Sequence, residues 1–187
     1  MLSKLASEVS NTLVATLKGA DDVVSTLRSA VKNQVVGTLK DVGDMATSGM
    51  DALVDVVSGG VSAAGQVGGS LMQTTKATVS SAITGVSELG GDVLTASGKV
   101  AQGAVKGASD LGGDMGEVAV SAVEGVIETA GSLGVSTTDA AQGAVVGAVK
   151  AADEVSEEVG KTVRNALMNA ASLPRDVVEK VLKGSEA

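Results

Sequence analysis

The chain repeats every eleven residues without interruption. Counted from Met1, its 187 residues form seventeen elevens with nothing left over (17 × 11 = 187). With the positions lettered a to k, position g holds no apolar residue in any of the seventeen copies, while position a is apolar in fourteen. Positions b, e, f and i are also mostly apolar. Eleven residues are about three turns of helix at roughly 3.67 residues per turn. On that wheel a, e, i, b and f gather into one arc, and j, c, g and k form the opposite polar face. Positions d and h, beside the arc, are mostly Gly, Ala, Ser or Thr. A strand period of two does not sort the residues, so the pattern predicts helix over a β-solenoid with glycine corners. It does so despite many Gly, Val and Thr residues, which are weak helix formers.

A second period of 22 lies over the first. Gly37, Gly59, Gly103, Gly125 and Gly147 share one register, with Ser81 in the missing place. Gly68, Gly90, Gly112 and Gly134 share another. Gly69, Gly91 and Gly113 follow directly, and Val135 departs from that series. Two residues after the members of the second register stand Ser70, Asp92, Asp114 and Ser136, with Ser48 at the same place one unit earlier, all good helix N-caps. Three residues further on, Asp51, Gln73, Glu117 and Asp139 give capping-box spacing, with Thr95 the exception. Leu-Gly-Gly-Asp is therefore a punctuation mark. Glycine supplies the left-handed end of one helix and Asp starts the next. Each unit predicts one helix of about 18–20 residues, roughly 30 Å long. The connections are short enough to make neighbours antiparallel. The first glycine register falls near the helix midpoints, where it lets a neighbouring backbone approach.

The expected fold is all-α: tandem amphipathic helices on an 11/22-residue repeat, packed as an antiparallel bundle, solenoid or array. Residues 1–44 read as a helical capping segment with breaks at Gly19-Ala20-Asp21-Asp22 and Gly43-Asp44. Residues 45–135 hold the 22-residue repeats. Residues 136–187 read as one long helix, Ser136 to Ala171, then a break at Pro174. A short helix from Asp176 to Lys183 follows, capped by Ser172.

Composition narrows the chemistry. The chain has no Phe, Trp, Tyr, Cys or His, so thiol catalysis, disulfides and histidine base chemistry are absent. Its net charge of −8 opposes binding to a nucleic-acid backbone or to anionic membranes. The charge is uneven. Residues 1–44 carry five of each sign, 45–132 three basic against nine acidic, and 133–187 six against eight. No signal peptide and no apolar run long enough to span a membrane is read, and the expected location is cytoplasmic, including the periphery of a membrane or lipid body.

Leu-Gly-Gly-Asp lacks the preceding strand and following Lys of a phosphate loop. Asp92, Asp114 and Glu117 could offer oxygen to a hard cation, but capping explains them and the spacing of a calcium loop is absent. Asp153, Glu154, Glu157 and Glu158 are the densest carboxylates. On a continuous helix, Glu154 and Glu158 share a solvated face with Lys150 and Lys161. Gly103-xxx-Gly107 and Gly143-xxx-Gly147 have the spacing of close helix contacts; with Lys106 and Asp110 on the first segment, those contacts are expected in water or at an interface. No catalytic, cofactor-binding or metal-binding residue is assigned, and no enzymatic activity or cofactor is expected.

Units such as VAQGAVKGASD and AVVGAVKAADE give the chain an eleven-residue amphipathic repeat that resembles those of synucleins and perilipins. More distantly it is similar to the repeats of late-embryogenesis-abundant proteins. The resemblance implies helices that lie on lipid or coat a droplet. The chain departs from it in lacking the paired-Lys KTKEGV core and in being acidic. Two roles follow: a structural protein whose repeats pack and self-associate, with itself as partner, or a peripheral coat on a lipid surface. Nucleic acid is not an expected partner.

Overall fold

In a computed structural model, residues 3–19, 22–42 and 48–184 are described, and helices dominate them. They are α1 (Lys4–Leu17), α2 (Val23–Val42), α3 (Ser48–Gln66), α4 (Leu71–Glu88), α5 (Val93–Leu111), α6 (Met115–Ser132), α7 (Thr137–Val155), α8 (Glu157–Asn169) and α9 (Arg175–Gly184). No strand occurs among the described residues. The helical reading of the eleven-residue period holds, and α3 to α7 are each 18 or 19 residues long.

Glycine ends these helices as expected. Gly68, Gly90, Gly112 and Gly134 all have positive φ, between 66° and 79°. The next residue then donates back five positions: Gly69 N–H to Ala64 O at 3.1 Å, Gly91 to Val86 at 2.9 Å, Gly113 to Ala108 at 2.9 Å, and Val135 to Ala130 at 2.9 Å. This Schellman pattern needs the left-handed backbone only at the first glycine. Val135 can therefore stand where the other copies have a second glycine. The start signals are mixed. Asp92 accepts from Leu94 N–H at 3.0 Å, Asp114 from Glu117 N–H at 3.0 Å, and Ser136 from Asp139 N–H at 3.3 Å. Ser70 makes no side-chain cap; the Thr74 hydroxyl donates to its carbonyl instead, at 2.8 Å. Ser48 is the first residue inside α3 rather than the residue before it. At the box position of α3, Asp51 turns outward to Lys99 of α5, at 2.7 Å.

Among the described residues, each helix packs against its chain neighbour and against the helix two places along, and against no other. That pattern is a two-row solenoid. Helices α1, α3, α5, α7 and the short α9 form one row, and α2, α4, α6 and α8 the other. From α3 to α7 the connections are three or four residues long; neighbours that pack together across such connections must reverse direction, so α3, α5 and α7 run parallel, as do α4 and α6. The apolar arc faces between and along the rows. Its largest fully buried side chains include Leu17, Leu27, Leu53, Ile83 and Leu167, and the rest is almost all Val and Ala. No aromatic fills space here, so close backbone approach does.

Glycine provides that approach in the odd row. A Cβ placed on Gly103 would lie 2.6 Å from the Val54 carbonyl oxygen, and one on Gly107 2.6 Å from that of Ser58. On Gly59 it would lie 2.7 Å from the Ala6 carbonyl, and on Gly147 it would collide with the Gly98 backbone. The even row is looser. A Cβ on Gly125 would meet Lys76 at an ordinary 3.4 Å, and Gly37 has nothing within 4 Å. Midpoint glycines therefore matter by row, with a spacing of 44 residues rather than 22.

Three sequence expectations are corrected or displaced. Ser136 to Ala171 is two helices, not one. Ser156 adopts an extended backbone (φ −169°, ψ 160°), and its hydroxyl accepts from Val159 N–H at 3.2 Å. Ser156 is thus an N-cap followed by two first-turn acids, Glu157 and Glu158, a favourable helix start. The chain turns back far enough for Arg164 to grip Asp153 with two bonds of 2.9 and 2.6 Å. The final helix does follow Pro174, but Ser172 is not its cap; Pro174 immediately precedes it, and its carbonyl accepts from Val177 and Val178. The early break falls between α1 and α2 with Ala20 and Asp21 outside the described residues, and Gly43-Asp44 lies outside them entirely.

Candidate interaction surface

The helix-capping carboxylates do not converge. Asp92 and Asp114 lie beyond opposite ends of α5, a helix of 19 residues and so about 28 Å long. Each is occupied locally. The Thr95 hydroxyl and two backbone amides bind Asp92 and hold its carboxyl below the usual range, against some burial. No group of three or more Asp, Glu, His or Cys able to hold a metal ion occurs among the described residues.

The break at Ser156 also splits the carboxylate cluster. Asp153 goes to Arg164, Glu154 to Lys106 of α5 at 3.6 Å, and Glu157 to Lys161 at 2.7 Å. Glu154 and Glu158 therefore do not share one helical face with Lys150 and Lys161. All four carboxylates are exposed, as a solvated surface requires, and three of them also make specific bridges.

Arg164–Asp153 crosses from α7 to α8 and Glu157–Lys161 stays within α8; the other bridges between helices follow the rows. On the odd row, Lys99–Asp51 ties α5 to α3, and Lys106–Glu154 ties α5 to α7. On the even row, Lys32–Glu88 (3.0 Å) ties α2 to α4, and Lys76 bridges α4 to Glu124 (2.6 Å) and Glu128 (3.3 Å) of α6. Position g of the ruler, always polar, supplies Asp51, Lys106 and Glu128 to these rungs. The hydrogen bond from Lys99 is the main cause of the lowered Asp51 carboxyl pKa, with Lys150 and Lys106 adding weaker attraction. Glu124 is desolvated by partial burial, yet hydrogen bonds from Lys76 and Ser172 outweigh this and lower its pKa. Lys76 is correspondingly raised, chiefly by its hydrogen bond to Glu124. Ser172, read as a cap from sequence, instead links the loop before α9 to α6.

One stretch of the odd-row face lacks this pairing. A groove of about 410 Å³ runs between α5 and α7, with Leu94, Gly98, Gly143 and Val146 along it and Lys150 at one end. Val146 is 53% exposed, more than any other large apolar residue described, and Leu94 is 37% exposed. The groove arises because Gly98, Gly143 and Gly147 bring the two backbones together and leave no side chains to fill the seam. Lys150 borders a second cavity of about 490 Å³, shared with Val149 of α7 and with Val181 and Leu182 of α9. Sequence reading passed over this surface, although it carried a signal. Val146 stands at position c, on the polar face of the wheel, where only five of the seventeen copies are apolar.

No known protein family matches the chain, and no curated protein does. No helix among the described residues is long and apolar enough to cross a membrane.

Proposed function

We propose that this protein is a non-catalytic scaffold, a two-row helical solenoid that works by self-association through its exposed helix faces. One observation carries the reading. The repeat's apolar arc is spent on contacts within the chain: Val, Leu and Ile of α1 to α8 are largely buried against neighbouring helices. The exposed rungs are charged and specifically paired, as suits a rigid surface that presents binding faces.

The competing reading, a lipid-surface coat, has support in the aromatic-free core. Val and Ala release less free energy on burial than aromatics do, so opening the helices onto another apolar phase costs less. Burial of the arc and the charge of −8 count against it. The deciding experiment combines circular dichroism, mass in solution and vesicle flotation. The scaffold reading expects strong helicity and a defined oligomer in buffer, unchanged by lipid. A monomer that gains helix only when vesicles are added would overturn it.

A further inference from the structure

We propose that α7 pairs antiparallel with the α7 of a second copy of this chain, about a two-fold axis, through Asp139, Gln142, Val146 and Lys150. The inference rests on the self-association reading and names the surface that performs it.

In the odd row α7, like α1 at the other end, has a full-length row neighbour on one side only; a self-complementary stripe singles out α7. Helices α3 and α5 are each flanked in the row by helices packed closely against them. Beyond α7 the row continues only with α9, ten residues long. The stripe of α7 that remains outside reads Asp139, Gln142, Val146, Lys150, with steps of three, four and four residues that keep it on one face. All except Gln142 are exposed.

The stripe is complementary to itself. Asp139 and Lys150 are separated by one ruler length, three helical turns, so both sit at position g and about 16 Å apart. Neither makes an ion pair among the described residues. A two-fold axis midway between them sets Asp139 of one copy opposite Lys150 of the other, and the reverse. The same axis sets Val146 opposite the other copy's Gly143. Gly143 has no side chain to fill the groove beside Leu94 and Gly98, so an incoming valine has a recess to enter. An isologous interface requires this: each element of the patch must face its own complement. Net charge makes the register matter. Two copies at −8 repel each other, so a contact between them is favoured where opposite charges meet.

The test uses charge reversal in the full chain, with circular dichroism to confirm unchanged helicity. Sedimentation across a concentration series should show the unaltered chain dimerising. Lys150→Asp sets Asp139 against a second carboxylate, and Asp139→Lys sets Lys150 against a second ammonium. Each variant alone should dimerise at least about tenfold more weakly. Mixing the two should restore dimer, because every facing pair in the mixed species is then opposite in charge. The double variant Asp139→Lys/Lys150→Asp should recover on its own. If the unaltered chain stays monomeric, the inference fails together with the self-association reading. If it dimerises but both single variants match it, or their mixture stays apart, self-association stands and this face is wrong.

Discussion

Two glycines in the same register of the repeat should respond oppositely to the same substitution. In Gly103→Ala, the added methyl would stand 2.6 Å from the Val54 carbonyl oxygen and 2.9 Å from Val57 Cβ. The first separation is roughly 1 Å short of an ordinary non-bonded contact. Both obstacles belong to α3 at or next to its backbone, so no flexible side chain can swing away; α5 must shift. Overpacking of this kind costs about 1–3 kcal/mol, and two sub-3 Å contacts place it in the upper part of that range. The higher helix propensity of Ala returns about 1 kcal/mol. The expected net destabilisation is about 1–2 kcal/mol. Gly37→Ala, three units earlier, keeps the propensity gain and meets nothing within 4 Å. It should stabilise by about 0.5–1 kcal/mol. Urea unfolding followed by circular dichroism measures both, and the midpoints should move in opposite directions with similar slopes. If Gly103→Ala stabilises as much as Gly37→Ala, the close α3–α5 approach is not made in solution, and the account of the odd row fails.

Gly112→Ala meets open space but must hold φ at +66°, so it should destabilise by about 1 kcal/mol. Gly113→Ala, which crowds the end of the flexible Leu71 side chain and makes an ordinary 3.5 Å contact with the Ala108 carbonyl, should cost less by the same unfolding assay. Thr78 is fully buried and its hydroxyl has no hydrogen-bond partner among the described residues. Thr78→Val should raise stability by about 1 kcal/mol, and a lowered melting temperature would show the hydroxyl to be satisfied. The Glu124 pKa is lowered on folding, so its stabilising effect is present above the ordinary glutamate range and lost as pH falls through the folded value. Removing that titration in Glu124→Gln should flatten the acid side of the stability profile. Equal slopes in both proteins would show that Glu124 does not contribute.

Much of this architecture is written locally. Helix length, the left-handed breaks at Gly68, Gly90, Gly112 and Gly134, and the caps at Asp92 and Asp114 depend on residues within one turn of each other. Backbone sterics and unpaired helix N–H groups act at that range. Ser156 also acts locally, yet a glycine-based reading of the breaks passed it by, because the chain there stops with an N-cap serine and two acids rather than a Gly pair. The interaction surface was harder to see. Position c placed Val146 on the polar face, but Val14, Val36, Val135 and Met168 share that position and are only partly exposed. Exposure depends on what lies beyond the helix.

By itself the sequence determined that this chain makes amphipathic helices of about five turns with fixed starts and stops. Its periods match the α-helix, and glycine alone enters the left-handed region cheaply. Only the tertiary structure decided which row each helix joins, and hence what each repeated residue does. Gly59, Gly103 and Gly147 became backbone contacts while Gly37 met open space. Asp51 turned from a helix-start residue into a rung to Lys99. The physical reason is range. A repeat specifies the same local energetics in every copy, whereas the rungs pair residues 48 to 56 apart, and what lies at that distance differs from row to row and at the ends of the array.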